Sequence, residues 1–499
     1  MEKIQDFEIE KNGEEVILKE YKGNASEVVI PDGVTSIGDY AFFECDSLTS
    51  IVIPESVRSI GKDAFSSCSS LTDIIIPSSV TSVGSAVFAD CGSLTSVTFG
   101  ENSKLTSIGS FMFDMCDSLT DIVIPSGVTS IGESAFMGCW SLTDIVIPES
   151  VTNIGESAFS DCSYLTNIVI PEGVSSIKEF TFASCSCLTN VTIPSSVTSI
   201  GESAFSNCGS LTSVTFGENS RLTCIGLNAF DRCNSLTDIV IPSGVTSIGE
   251  SSFMGCLDLA SIVIPESVTS IGESAFYECS SLTSVIFREN SKLTSIGLNA
   301  FKRCSRLTNI VIPEGVTSIS NGLFLDCNSL TSIVLPESVT SIGLCAFTNC
   351  GKLTSIVIPK SVVSIGEYAF KNCSSLTSIT IPSSVTSIGE YALSNCSSLT
   401  SVTFGENSKL TNIVSSAFLG CNNLTSIVIP SGVETIGEKV FTWCNNLTSV
   451  TFENPNDWKV SEKSDISNAT LLLSESLLDS STAAEYLTST YENYYWKRG

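Results

Sequence analysis

A cysteine returns every 23 or 25 residues along most of this 499-residue chain, from Cys45, Cys68, Cys91, Cys116, Cys139 and Cys162 onward to Cys444. Eighteen such units follow one another, and 13 of their 17 spacings are 23 residues while four are 25. Phe stands three residues before each of these cysteines, with Leu393 the one replacement, and Leu stands three residues after every one. A fixed period of this length means stacked supersecondary units rather than separate globular domains. The usual inference from length, about three domains, therefore does not apply.

The unit from Leu48 to Cys68 shows what each position does. Ile51 and Ile53 share one face of a short strand, and Ser50 and Val52 share the other. Pro54 has no N–H to continue a ladder and ends the strand. Val57 and Ile60 turn apolar groups inward along a second side, and Gly61 marks a corner. Ala64, Phe65 and Cys68 have the spacing of a short helical or 3-10 turn. One coil thus turns about eight residues inward, too few to shield themselves, and stacking at ~4.8 Å closes the core. The expected architecture is a solenoid of β-rich coils with short helical or 3-10 turns, about 18 stacked repeats. Phe136, Phe159 and Phe205 are expected in one buried column. Lys178, Ser320 and Val414 replace the corner glycine. A β-branched residue there argues that glycine serves close coil packing rather than an obligatory left-handed turn.

The pattern Leu-x-x-Ile-x-Ile-Pro-x-x-Val-x-x-Ile-Gly-x-x-Ala-Phe-x-x-Cys resembles that of the BspA-like leucine-rich repeat proteins, over about residues 26–452. That family is a surface-protein group of host-associated bacteria, also expanded in some parasitic protozoa. The resemblance implies a leucine-rich-repeat solenoid acting in adhesion, matrix binding or other protein–protein contact, at the cell surface or secreted. It supplies no catalytic residue. The solenoid is expected over 28–452. Residues 1–27, with the Lys11-Asn-Gly-Glu turn, read as an N-terminal β-hairpin cap, and 453–499 as a C-terminal cap or tail.

Composition opposes several other functions. There are 53 acidic and 24 basic side chains, a net charge of −29, so the chain repels nucleic acid and anionic membranes. Histidine is absent, which removes Ser-His-Asp sites, His general bases and His metal ligands. No apolar run approaches the ~20 residues that span a bilayer, so membrane insertion is not expected. The segment Met1–Glu8 lacks the basic and apolar parts of a secretory signal, which makes a cytoplasmic location the alternative expectation. A 23-residue spacing forms no zinc knuckle, and in-register side chains point the same way, against the disulfide dihedral. The cysteine ladder is therefore read as buried thiols, with Cys187, Cys224 and Cys345 outside it and more accessible. No enzyme activity, cofactor or metal is expected.

Two surfaces are candidates for a protein ligand. On the outward strand face, Asp73, Asp121, Asp144, Asn167 and Asp238 form a polar column, and Val123, Val146, Val169 and Val240 an apolar one. β-branched residues suit any strand surface, but a long apolar stripe also marks interaction surfaces. Aromatic residues are absent from both columns, against a sugar- or base-stacking platform. The rival flank consists of bulged loops where the Pro corner is replaced and two residues are added. Glu101, Asn102 and Lys104 lie in the first, and Glu218, Asn219 and Arg221 in the second. Such loops are either tolerated duplications or a spaced row of contacts. Two settings follow: a surface adhesin binding host or matrix protein, or a cytosolic acidic scaffold or inhibitor binding a basic protein.

Overall fold

The computed structural model describes residues 6–462, 470–472 and 474–499. Among the described residues the chain is a β-solenoid with almost no helix, and it divides into two compact units, Met1–Val245 and Thr246–Gly499. Both are built from the same coil.

In nearly every coil a strand of two to four residues comes first, as in Ser50–Val52, the coil after Cys350 being without one. Ile51 and Ile53 are buried and Val52 is exposed, as the alternation requires. The N–H of Val57 closes a turn on the carbonyl of Pro54 at 3.1 Å. A two-residue strand follows, Ser59–Ile60, with Ile60 buried. Corresponding strands of successive coils pair in parallel and in register. In Met1–Val245 the first strands from Asp73–Ile76 to Asp238–Ile239 form one eight-stranded sheet. The third side is a run of turns closed from residue i to i+3, such as the N–H of Cys68 to the carbonyl of Phe65 at 3.3 Å. Between these, alternate N–H groups reach the next coil: Phe65 donates to Val87 at 2.9 Å and Ser67 to Ala89 at 2.7 Å.

The corner glycines are there for closeness. A Cβ on Gly61 would lie 2.5 Å from the backbone nitrogen of Asp39, and one on Gly84 equally close to that of Lys62. Neither glycine is left-handed. The two-residue strands lose their pairing in three places, between Val83 and Ser107, between Ile154 and Ser176 beside Lys178, and between Ile296 and Ser318 beside Ser320. At Ser320 the side-chain hydroxyl donates to the carbonyl of Ile296 at 2.5 Å. Val414 is accommodated without a break, for Asn412–Ile413 still pairs on both sides.

Left-handed backbone falls elsewhere, just before the Ala-Phe pair and just before the cysteine. Ser157 and Asp161 have φ of 52° and 60°, and Asn207 has 58°. Asn, Asp and Gly bear this conformation most easily. In Thr246–Gly499 the position before the cysteine also builds a side-chain ladder. The amides of Asn349, Asn372 and Asn395 donate to Asp326, Asn349 and Asn372 at 2.6, 2.7 and 3.0 Å.

Two ladders fill the core. Phe136 and Phe159 are fully buried, with ring centroids 5.3 Å apart and planes within 3°. Phe205 stacks in the same column on Phe182 at 5.3 Å. The ladder cysteines face backbone rather than one another. Cys68, Cys91, Cys116, Cys139 and Cys162 are buried, and each thiol donates to the phenylalanine carbonyl of the coil before. Cys162 reaches Phe136 at 3.1 Å and Cys185 reaches Phe159 at 3.2 Å. That carbonyl already accepts the N–H of its own coil's cysteine, so the thiol takes its second lone pair. Cys45, at the start of the ladder, is only half-buried, as are Cys187, Cys224 and Cys345.

At the start of the chain Phe7–Asn12 pairs antiparallel with Glu15–Tyr21 across Gly13, which has φ of 67°. Glu15–Tyr21 in turn pairs with Ser36–Ile37, and the Tyr21 ring stacks on Phe42 at 5.3 Å. At the other end Tyr495–Arg498 pairs antiparallel with both Thr435–Ile436 and Trp458–Ser461. The helix Ser480–Glu485 packs on Ser449–Phe452, and Trp458 and Trp496 are buried around Phe452. The portions of the expected caps at 1–5, 463–469 and 473 lie outside the described residues.

The thiol ladder gives stability a pH dependence. Burial pushes Cys208 and Cys396 up to about 12, from an ordinary value of 9.0, and raises Cys139 and Cys185 as well. A raised thiol keeps its proton in the folded state while the unfolded chain ionises. The stabilisation is therefore complete below pH 9 and is lost as pH rises toward 12. Each thiol exposed by unfolding should subtract about 1.4 kcal/mol per pH unit in that window. Urea midpoints should fall steadily from pH 9 to 11, and replacing Cys139, Cys162 and Cys185 by Ser should flatten the slope. Equal slopes for the two proteins would contradict the buried ladder.

Candidate protein-interaction surface

The outward strand face is regular because the strands beneath it are in register. Asp121 faces Asp144 and Val123 faces Val146, while Asp144 is aligned with Asn167 and Val169 with Thr192. Asp73 begins the same sheet and Asp238 ends it, each aligned with a serine. The four valines are well exposed: Val123 76%, Val146 72%, Val169 62% and Val240 76%. Thr98, Thr192 and Thr215 interrupt this column, so the apolar stripe is broken into short stretches. No lysine or arginine stands in either column of the sheet.

Hydroxyl ladders hold the face rigid from behind. Thr143 donates to the carbonyl of Thr120 and Thr166 to that of Thr143, each at 3.3 Å. Thr120 also donates to the Asp121 carboxylate at 3.1 Å. At the opposite corner Ser79 donates to the carbonyl of Val57 at 2.7 Å. The abundant Ser and Thr thus satisfy carbonyls of the preceding coil, a use that no within-coil pattern reveals.

The bulged loops are built by their own residues. Asn102 and Asn219 are left-handed, with φ of 57° and 55°. Ser103 and Ser220 accept the N–H groups of Leu105 and Leu222 at 3.4 and 3.3 Å. Glu101, Lys104, Glu218 and Arg221 are exposed.

The two candidate surfaces meet. Beside the first loop lies a groove of about 370 Å³, with Phe99 and Asn102 on one side and Asp121, Val123 and Pro125 on the other. Beside the second, Phe216 and Asn219 face Asp238, Val240 and Pro242 across about 520 Å³. The loop of one coil and the strand of the next share each groove. Asp73, Asp144, Val146, Asn167 and Val169 lie on the open strand face instead, and Glu101, Lys104 and Arg221 do not line the grooves. The half-buried Phe99 and Phe216 escape a reading confined to the outward columns. Their signal is the replacement of Ile-Pro by Phe-Gly. Similar grooves of about 610 and 240 Å³ lie beside Phe287 and Phe404 in Thr246–Gly499.

Among the described residues no group of three or more His, Cys, Asp or Glu is placed to hold a metal ion, and no helix is long and apolar enough to cross a membrane. A family model described as the BspA type leucine-rich repeat region, six copies long, matches residues 19–139, 106–236, 223–354 and 342–462. The chain belongs to the BspA-type leucine-rich repeat family. It is 26% identical to a leucine-rich repeat protein of Bacteroides ovatus, covering 90% of this chain and 98% of the other with a TM-score of 0.56. A leucine-rich cell surface protein of Faecalibacterium prausnitzii is 28% identical over 90% of this chain and 94% of its own, with a TM-score of 0.32. A leucine-rich repeat protein of Eubacterium ventriosum is 22% identical over 74% and 93%, with a TM-score of 0.39. No curated protein matches in sequence. Leucine-rich repeats of this type form a protein-interaction fold.

Because the exposed valines of this BspA-type solenoid contribute nothing to its core, Val123, Val146 and Val169 should be replaceable together by Lys. Circular dichroism should be unchanged and the melting temperature should move by no more than ~2 °C, as for surface substitutions of about 0.5 kcal/mol or less. A large loss of stability would place those side chains in the core.

Proposed function

We propose that this BspA-type solenoid is a non-enzymatic surface adhesin whose strand face binds a host, matrix or cell-surface protein. The observation that carries the reading is the in-register stacking that sets an exposed apolar column, Val123 and Val146 with Val169 on the next strand, beside a polar column of Asp121, Asp144 and Asn167. Burial of the apolar column against a partner supplies the favourable part of binding. The acidic column beside it selects a basic or mixed surface and fixes its orientation. A rigid backbone loses little entropy when a partner docks, so more of that energy appears as binding. In this reading residues 1–27 and 453–499 cap the ends, and the protein acts at the cell surface or after secretion, as BspA-like proteins are expected to.

A second reading, a cytosolic acidic scaffold or inhibitor of a basic protein, is favoured by one observation. Ladder thiols such as Cys139, Cys162 and Cys185 are buried and donate to backbone carbonyls rather than pairing with one another, a use of cysteine that suits a reducing compartment.

A panel of immobilised matrix and cell-surface proteins, read by surface plasmon resonance, tests the adhesin. The wild-type chain should bind at least one member, and the Lys variant at Val123, Val146 and Val169 should weaken that binding at least tenfold. A variant with Glu101 and Lys104, which do not line the groove, changed to Ala should retain it. Loss in the loop variant alone would move the site to the loops. Failure of wild type on the whole panel, with a basic cytosolic protein co-purifying, would replace the adhesin by the scaffold.

A further inference from the structure

The grooves beside the 25-residue units come in pairs at one spacing. In Met1–Val245, Asn102, Asp121 and Val123 recur as Asn219, Asp238 and Val240, each 117 residues later (219 − 102, 238 − 121 and 240 − 123). That offset is five coils, Cys116 to Cys233, or about 24 Å at ~4.8 Å per coil. Val311 and Val428, in the grooves of Thr246–Gly499, stand 117 residues apart as well (428 − 311).

The lining of the first pair is chemically simple. Each groove has a half-buried Phe and an exposed Val as its apolar surface, and its one ionisable side chain is Asp121 or Asp238. The second pair differs, for Arg288 lines one of its grooves. At about 370 and 520 Å³ the first two grooves fall within the usual range of binding clefts. They accept an apolar side chain on the Phe–Val surface and a cation at the carboxylate, and they repel an acidic segment.

We infer that the Asp121/Val123 and Asp238/Val240 grooves form a bivalent site for an extended basic protein segment that presents an apolar residue flanked by Lys or Arg at intervals of about 24 Å. This rests on the protein-binding reading above and names the partner's chemistry. The benefit of the pair is geometric. Once one motif is seated, a second at the right distance binds intramolecularly, and avidity exceeds single-site affinity without a new kind of contact.

A peptide ruler tests it on the full chain. Two Lys-Leu-Lys motifs joined by five prolines place their leucines eight residues apart, about 25 Å in polyproline II geometry. With two prolines the separation falls to about 16 Å. In fluorescence anisotropy the five-proline peptide should bind at least tenfold more tightly than either the two-proline peptide or a single motif. Asp121→Lys with Asp238→Lys should abolish that gain while leaving the melting curve unchanged, and Glu14→Lys, in the exposed N-terminal hairpin turn, should not affect it. A Glu-Leu-Glu ruler should not bind. Equal affinity for the two rulers, equal binding of the acidic ruler, or no binding of any peptide would overturn the bivalent site. The protein-binding reading would still stand in those cases if the Val123, Val146 and Val169 variant lost its matrix partner, so the two failures are distinguishable.

Discussion

At the corner glycines the backbone of one coil lies directly on the backbone of the coil before it, with no room for even a methyl group between Gly61 and Asp39. Coils this close stack in register through their paired strands, and the register determines what each repeated residue type meets. Phe falls on Phe, the thiol on the phenylalanine carbonyl, and Thr and Ser on the carbonyls of their counterparts. A shift of one residue would turn every outward Val inward and bury the Asp column. The stacked core and the displayed face are therefore consequences of the same contact.

The inward and outward sets could be read from the chain because a strand has period two. Ile51 and Ile53 are separated from Ser50 and Val52 by alternation alone. The role of the corner glycine was also legible, since Val414 at an equivalent position argues against left-handed backbone. The left-handed positions lay one turn further on. Their signal was present in Asp161, Asn207, Asn349 and Gly138, which precede ladder cysteines, but it is diluted by Ser, Arg and Trp at equivalent places. The thiol hydrogen bond was hidden more deeply. Its acceptor is a main-chain carbonyl of another coil, 26 residues back for Cys162, and main-chain atoms leave no mark on a residue pattern. A cysteine read only as a small apolar residue misses why Ala or Val would leave a carbonyl lone pair without its donor.

The grooves were missed for a similar reason. Asn102 and Asp121 belong to different units of the repeat, so a unit-by-unit reading assigned them to rival surfaces. Stacking makes them neighbours. The same geometry explains how a fold of this kind takes on a ligand. Outward columns and inserted loops are free of the core, so they can vary in charge and shape while the Phe and thiol ladders remain fixed.

The central claim, that stability is held between neighbouring coils through these ladders, is tested most directly by native-state hydrogen exchange on Phe159→Ala. Removing a fully buried ring should lower local opening free energies by ~3–5 kcal/mol. The loss should centre on amides of the coils bearing Phe136 and Phe182, which stack on Phe159. Protection near Leu18 and Phe42 should be unchanged. A uniform loss from Phe7 to Val245, or no loss beside Phe159, would contradict the account.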